Sequence, residues 1–286
     1  MATLHAGKSA VKRGAGSPLL RLLERLGYAT RGALYTVTGL LALGIAVSVG
    51  GGQTTDLSGS LVYLVANPYG KFVLIVMAIG LAAYSLWGFI RAVYDPMHRG
   101  SDASGYMARL GFITSALSYA AIVILAIQLL SGSGGASGDS TKTTIASILT
   151  HPGGGPVTIV IGLLAILVGL GQFLEAYRAT FASDLKGAEM SERERTVVIR
   201  LGRFGMFARG VTFLVIGSFV VQAGLHHDPG QVQGFGGAFS FLLGQPFGRV
   251  LLGIVALGFV ALGLHSFACA RWIRLMGSSG SSASAN

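Results

Sequence analysis

One block of sequence occurs three times at constant spacing. Gly27, Gly111 and Gly205 each stand 41 positions before a proline, Pro68, Pro152 and Pro246, and no gap is needed to align the three stretches. The first begins LGYATRGALY and reaches Asn67-Pro68-Tyr69-Gly70. The second begins LGFITSALSY and reaches His151-Pro152-Gly153-Gly154, and the third begins FGMFARGVTF and reaches Gln245-Pro246-Phe247-Gly248. The register continues past the prolines, so that Phe89, Phe173 and Phe267 coincide. Such a period dictates architecture, because every copy must fold as the same supersecondary unit.

Each copy holds two apolar runs, and a helix of about 20 residues crosses a hydrocarbon core of roughly 30 Å. The six runs lie near 29–50, 71–93, 110–131, 156–178, 206–226 and 248–271. Charged residues make up 11% of the chain and apolar ones 52%, against about 25% charged in a soluble domain. The expected fold is an all-α integral membrane protein of six transmembrane helices. Two crossings per copy bring each copy in from the same side, so the repeats are parallel hairpins and a pseudo-threefold arrangement about the membrane normal is expected. Inverted repeats are the usual pattern of alternating-access carriers, and parallel ones speak less directly for transport.

The expected division of the chain is a basic leader over 1–21, repeats over 22–95, 106–180 and 198–275, a charged linker over 181–197 and a flexible tail over 276–286. The leader has no cleavable signal pattern, so the first span is expected to stay in the membrane. Of the 21 basic residues, all but Lys71, Lys142 and Arg249 fall on one side of the predicted topology. Retention of Lys and Arg on the cytoplasmic side then predicts both termini there. The net charge of +10 is explained as this topology signal together with attraction to anionic headgroups. A nucleic-acid role has no domain to carry it.

In the outer loops, Leu61, Leu64 and Val65, then Ile145, Ile148 and Leu149, then Phe239, Leu242 and Leu243 keep helical spacing. Each repeat is therefore expected to carry a short amphipathic outer-face helix with its apolar side in the membrane. Each proline is expected at the first position of the returning helix.

Gly-Tyr-Ala-x-Arg-Gly leading into the first helix and Pro-Phe/Tyr-Gly-Lys/Arg leading into the second resemble the bacterial membrane family DUF1206. The middle copy departs from that pattern, with Ser115, Ala116 and Gly155. The resemblance implies a six-span architecture in a bacterial cytoplasmic membrane and supplies no activity.

Polar residues within the spans are the candidates for function. Arg31, Tyr35 and Thr38 form one stripe on a helix face, Ser115, Ser118 and Tyr119 form a second, and Arg209 repeats Arg31. Glu175, with Gln172 one turn earlier, stands where the other copies have Arg91 and Cys269. A carboxylate near the end of an apolar span is costly unless paired or hydrated, so either separate snorkelling of the charges or a pair between Glu175 and Arg31 or Arg209 is expected. Glycines two turns apart, Gly32 with Gly39 and Gly210 with Gly217, offer close helix packing, as does Ala165 with Gly169. His265 lies alone within the sixth span and is read as a hydrogen-bonded core histidine. The His226-His227-Asp228 cluster is read as a hydrated loop rather than a metal site. The single cysteine, Cys269, excludes an internal disulfide, and the glycine-rich outer loops lack the Gly-Lys-Ser/Thr ending of a phosphate loop.

No catalytic residue, cofactor or metal is expected. The function expected from the sequence is that of a non-enzymatic accessory or scaffold element binding membrane lipids or a partner membrane protein. A small-solute or ion conduit along the pseudo-axis is the alternative, and a redox or metal-dependent membrane protein the third.

Overall fold

In a computed structural model the described residues are 18–47, 70–94, 103–131, 140–185 and 189–272. They form α1 (Pro18–Val47), α2 (Gly70–Tyr94), α3 (Ala103–Leu130), α4 (Ser140–Leu149), α5 (Gly154–Arg178), α6 (Glu192–His226), α7 (Phe235–Leu243) and α8 (Gly248–Trp272). Five helices, α1, α3, α5, α6 and α8, are long and apolar enough to cross a membrane. The second predicted span falls on a helix too, α2, but its apolar stretch, Leu74–Ile90, is shorter than those five.

Helix limits follow local chemistry. Ser191 accepts from the Glu194 N–H at 3.2 Å while the Glu194 carboxylate accepts from the Ser191 N–H at 2.8 Å, a reciprocal cap that satisfies two otherwise orphaned donors. It starts α6 inside the predicted linker, making a 35-residue helix. Ala179 and His227, with φ of 51° and 52°, turn the chain out of α5 and α6 through the left-handed region.

One helix joint is built three times. The joint couples the first helix of one repeat with the second helix of another: α1 with α8, α3 with α2, and α6 with α5. A Cβ added at Gly32 would stand 2.9 Å from the Phe267 ring and 3.0 Å from the Gly263 carbonyl. At Gly210, the corresponding position, it would stand 2.9 Å from Phe173 and 3.0 Å from the Gly169 carbonyl. The middle repeat has Ala116 there, whose carbonyl accepts from Ser85 Oγ at 2.8 Å and whose methyl fills the space over Gly88. Small residues at these positions let the backbones touch, which is how helices associate when lipid is as apolar as their side chains. Partners run in opposite directions along each joint, Gly32 to Gly263 and Gly39 to Ala256 for example, and also between α1 and α2 (Gly27 to Tyr84, Thr30 to Gly80) and between α6 and α8 (Gly205 to Leu262, Ala208 to Gly258), so α1, α3 and α6 all point the same way. The hairpins are parallel copies.

Among the described residues, α1 packs on α2 and α6 on α8 within a repeat, whereas α3 and α5 share no comparable packed interface. Leu117, Ile124 and Ile127 of α3 and Leu163, Leu167 and Leu170 of α5 are exposed.

Two expectations about the outer segments need correction. Helices exist at Ser140–Leu149 and Phe235–Leu243, but their apolar faces are covered by protein rather than membrane. Phe239 is fully buried edge-on to Phe259, at 5.5 Å between ring centroids, and Ile145 packs with Ile216, Val220 and Val232. The aromatic and aliphatic floor formed by α6 and α8 is a closer apolar partner than lipid. Pro152 and Pro246 also do not begin the returning helices. α5 and α8 start at Gly154 and Gly248, two residues later, after left-handed Gly153 (φ 82°) and Phe247 (φ 58°). The first outer segment, with Leu61, Leu64, Val65 and Pro68, lies outside the described residues.

Candidate functional site

Tyr35, Tyr119 and Phe213 occupy the same register of the three repeats and converge at the centre. The hydroxyls of Tyr35 and Tyr119 are 3.0 Å apart, and the Tyr35 ring is edge-on to Phe259 at 5.8 Å. Tyr84 of α2 packs edge-on against Tyr119 at 5.0 Å and against Tyr28 at 5.3 Å. Five helices, α1, α2, α3, α6 and α8, thus contribute a side chain to one cluster.

Both arginines of the motif point into it. The Arg31 guanidinium donates through Nη1 to Tyr84 Oη at 2.7 Å and lies 5.4 Å from the Tyr35 ring centroid. Arg209 lies 5.9 Å from the same Tyr35 ring and 5.2 Å from Phe213. Cation–π contacts of this length hold a guanidinium against a ring without neutralising it. Arg209 is 9% exposed, and the Nε atoms of both arginines are buried without a hydrogen-bond partner. Among the described residues neither guanidinium is paired with a carboxylate. The cluster therefore holds two fixed positive charges and a surplus of N–H and O–H donors.

Glu175 does not supply the missing charge. Its carboxylate accepts from Thr180 Oγ1 at 2.5 Å and from the Phe181 N–H at 2.9 Å, closing the end of α5 on itself, so the pair with Arg31 or Arg209 is not formed. The left-handed turn at Ala179 brings those donors back to the carboxylate. Gln172 is half-buried on the same helix. Thr38 is fully buried on α1 and Ser115 half-buried on α3; the side chain of Ser118 lies outside the described residues, as does that of Arg91.

His265 is held within the protein. Its Nδ1 faces the Val198 carbonyl at 3.1 Å, so the proton sits on Nδ1, and Nε2 is 3.4 Å from Cys269 Sγ. The Val198 contact ties α8 to the N-terminal extension of α6, and the ring lies edge-on to Phe181 in the turn after α5. His151 and His226 each turn Nδ1 to a carbonyl of their own helix, Ser147 and Gln222, at 2.9 Å, and His227 packs over Gly155. An open depression of about 610 Å³ between Arg25, Glu189, Arg271 and Trp272 mixes both signs of charge at the helix ends.

Tyr84 and Phe213 are the cluster members that the sequence did not single out. Phe213 could have been found by aligning it with Tyr35 and Tyr119. Tyr84 aligns with Val168 and Leu262, so its signal was a lone hydroxyl at an otherwise aliphatic register.

Comparison with known proteins places this architecture. The family model described as Domain of Unknown Function (DUF1206) matches three times, over residues 26–95, 110–179 and 204–272. The chain is similar to the uncharacterized protein YxxB of Bacillus subtilis (strain 168), 32% identical over 249 residues that cover 87% of this chain and 90% of the relative. No solved structure matches. Three family matches falling on the three hairpins, and a relative similar along nearly its whole length, make the chain a helical membrane protein of the DUF1206 family.

Proposed function

We propose that the protein is a non-enzymatic, multi-pass element of a bacterial cytoplasmic membrane that binds lipid. The proposal includes six crossings, with α2 as the shortest, and a pseudo-threefold arrangement supported by the three equivalent joints at Gly32, Ala116 and Gly210. Both termini are cytoplasmic in this reading, following the distribution of Lys and Arg.

The observation that carries lipid binding is the middle repeat: among the described residues α1 packs on α2 and α6 on α8, but α3 and α5 share no such interface, and each exposes an aliphatic face, Leu117, Ile124 and Ile127 on one and Leu163, Leu167 and Leu170 on the other. Within a bilayer, acyl chains cover such faces. A conduit fits less well. Among the described residues the side of the centre facing α7 is packed with Phe235, Phe239 and Phe259, interlocked edge to face at 5.9 and 5.5 Å, an apolar plug next to the tyrosines.

The test combines two measurements on protein purified in mild detergent. Native mass spectrometry should find retained lipid, and a Leu167→Trp variant in bilayers of brominated lipid should show strong fluorescence quenching. Delipidated protein of unchanged stability and an unquenched tryptophan would reject lipid binding. Solute flux in proteoliposomes above that of empty vesicles would favour the conduit instead.

A further inference from the structure

We propose that Arg31 and Arg209 form a binding site for a phosphate-type oxyanion, with the hydroxyls of Tyr84 and of the Tyr35–Tyr119 pair as additional donors. This deepens the lipid-binding reading and rests on it only for the source of the phosphate.

The argument begins with an imbalance of charge. Two guanidinium groups lie within 6 Å of one tyrosine ring, inside the predicted spans, and arginine cannot discharge itself by losing its proton. Ring faces compensate a cation weakly, while removing it from water is expensive and a second cation nearby adds repulsion that low dielectric amplifies. Among the described residues no carboxylate relieves this, because Glu175 is bound to Thr180 and Phe181. Arg209 makes no hydrogen bond there, and its Nε is buried without a partner.

The donor inventory identifies the ligand. Arg31 spends Nη1 on Tyr84, and in accepting that bond the Tyr84 hydroxyl keeps its own proton to donate. In the Tyr35–Tyr119 pair one proton is shared and the other is free. Among the described residues the two guanidinium groups and the hydroxyls of Tyr84 and the Tyr35–Tyr119 pair thus keep protons to donate, and these donors come from α1, α2, α3 and α6. A carboxylate offers two oxygens in one plane. A phosphate presents oxygens in several directions and matches the planar forks of two arginines approaching from different helices. A lipid phosphodiester and inorganic phosphate share this chemistry.

The experiment reads thermal unfolding of the full chain in detergent at constant ionic strength. The probes are dioctanoyl-phosphatidylglycerol, dioctanoylglycerol without a phosphate, inorganic phosphate and chloride, applied to the wild type, Arg209→Lys and Arg209→Gln. A ligand that binds only the folded state raises the midpoint in proportion to its affinity. The wild type should be stabilised by at least one phosphate probe beyond dioctanoylglycerol and chloride. Arg209→Lys keeps the charge but loses the fork, and its apparent affinity should fall by about tenfold or more; Arg209→Gln should lose the response, and if it fails to fold the lysine variant alone decides. Stabilisation by phosphate but not by phosphatidylglycerol supports the site and removes its lipid source. Equal responses of wild type and Arg209→Lys, or no response to either phosphate probe, overturn the site, whereas lipid retention in the native spectra would still stand for the broader reading.

Discussion

Tyr35 and Tyr119, 84 residues apart and at one register of successive repeats, meet hydroxyl to hydroxyl at 3.0 Å in a buried setting. Because each is the other's partner, removing either hydroxyl costs the same bond, a net of about 0.5–1.5 kcal/mol. Tyr35→Phe and Tyr119→Phe should each lower the unfolding midpoint in detergent, and the double variant should lose much less than their sum. Strict additivity would mean that the two hydroxyls do not interact.

The shared joint makes a second prediction, with an internal control. A Cβ at Gly39 would lie 2.7 Å from the Val260 nitrogen, and at the corresponding Gly217 2.9 Å from the Gly162 carbonyl, while at Gly44 nothing lies within 4 Å. Gly39→Leu and Gly217→Leu should force α1 from α8 and α6 from α5, each reducing the yield of folded protein severely. Gly44→Leu should be neutral or mildly stabilising, since glycine in a helix interior is less favourable than other residues by up to about 1 kcal/mol. Comparable yields from all three variants in fluorescence-detected size exclusion would contradict the joint.

The close-packing positions were legible, because Gly32 and Gly39 recur as Gly210 and Gly217 and small residues on one helix face have few other uses, but which helix each would pack against was not. The fate of Glu175 was not legible. Complementarity with Arg31 and Arg209 was visible along the sequence, but the left-handed turn at Ala179 that offers Thr180 and Phe181 as nearer donors was not. The outer helices mark another limit. Amphipathic spacing at Phe239 and Leu242 predicted a helix with a buried face, and spacing is blind to whether lipid or protein covers that face. Tyr84 was hidden for the opposite reason, because comparison of repeats emphasises what the copies share, and its hydroxyl belongs to one copy.

The local role of Glu175 is testable against the charge pair. Glu175→Ala removes the acceptor for Thr180 Oγ1 and the Phe181 N–H, and should cost about 0.5–1.5 kcal/mol, since water can reach the donors left behind. Hydrogen exchange should rise over 176–183, with no change near Arg31. Exchanging the charges, Glu175→Arg with Arg31→Glu, should not rescue the single variants. Recovery of folded yield in the swap would restore the long-range pair.

Ala179 offers the reverse experiment, a gain of stability from a smaller side chain. It sits at φ 51°, ψ 41° after α5, with its N–H bonded to the Glu175 carbonyl at 2.7 Å, in the conformation that helix ends usually assign to glycine because a Cβ crowds the following carbonyl. Ala179→Gly keeps that bond and relieves roughly 1 kcal/mol of backbone strain. The greater entropy of glycine in the unfolded chain works against it by a similar order, so the expected net gain is a few tenths of a kcal/mol. Gly153, left-handed at φ 82° with open space at its Cβ position, isolates the same term with opposite sign, and Gly153→Ala should destabilise. Chemical denaturation of both variants should therefore move the midpoints in opposite directions. Movement in the same direction would show that the left-handed turns at the two ends of α5 do not govern its stability.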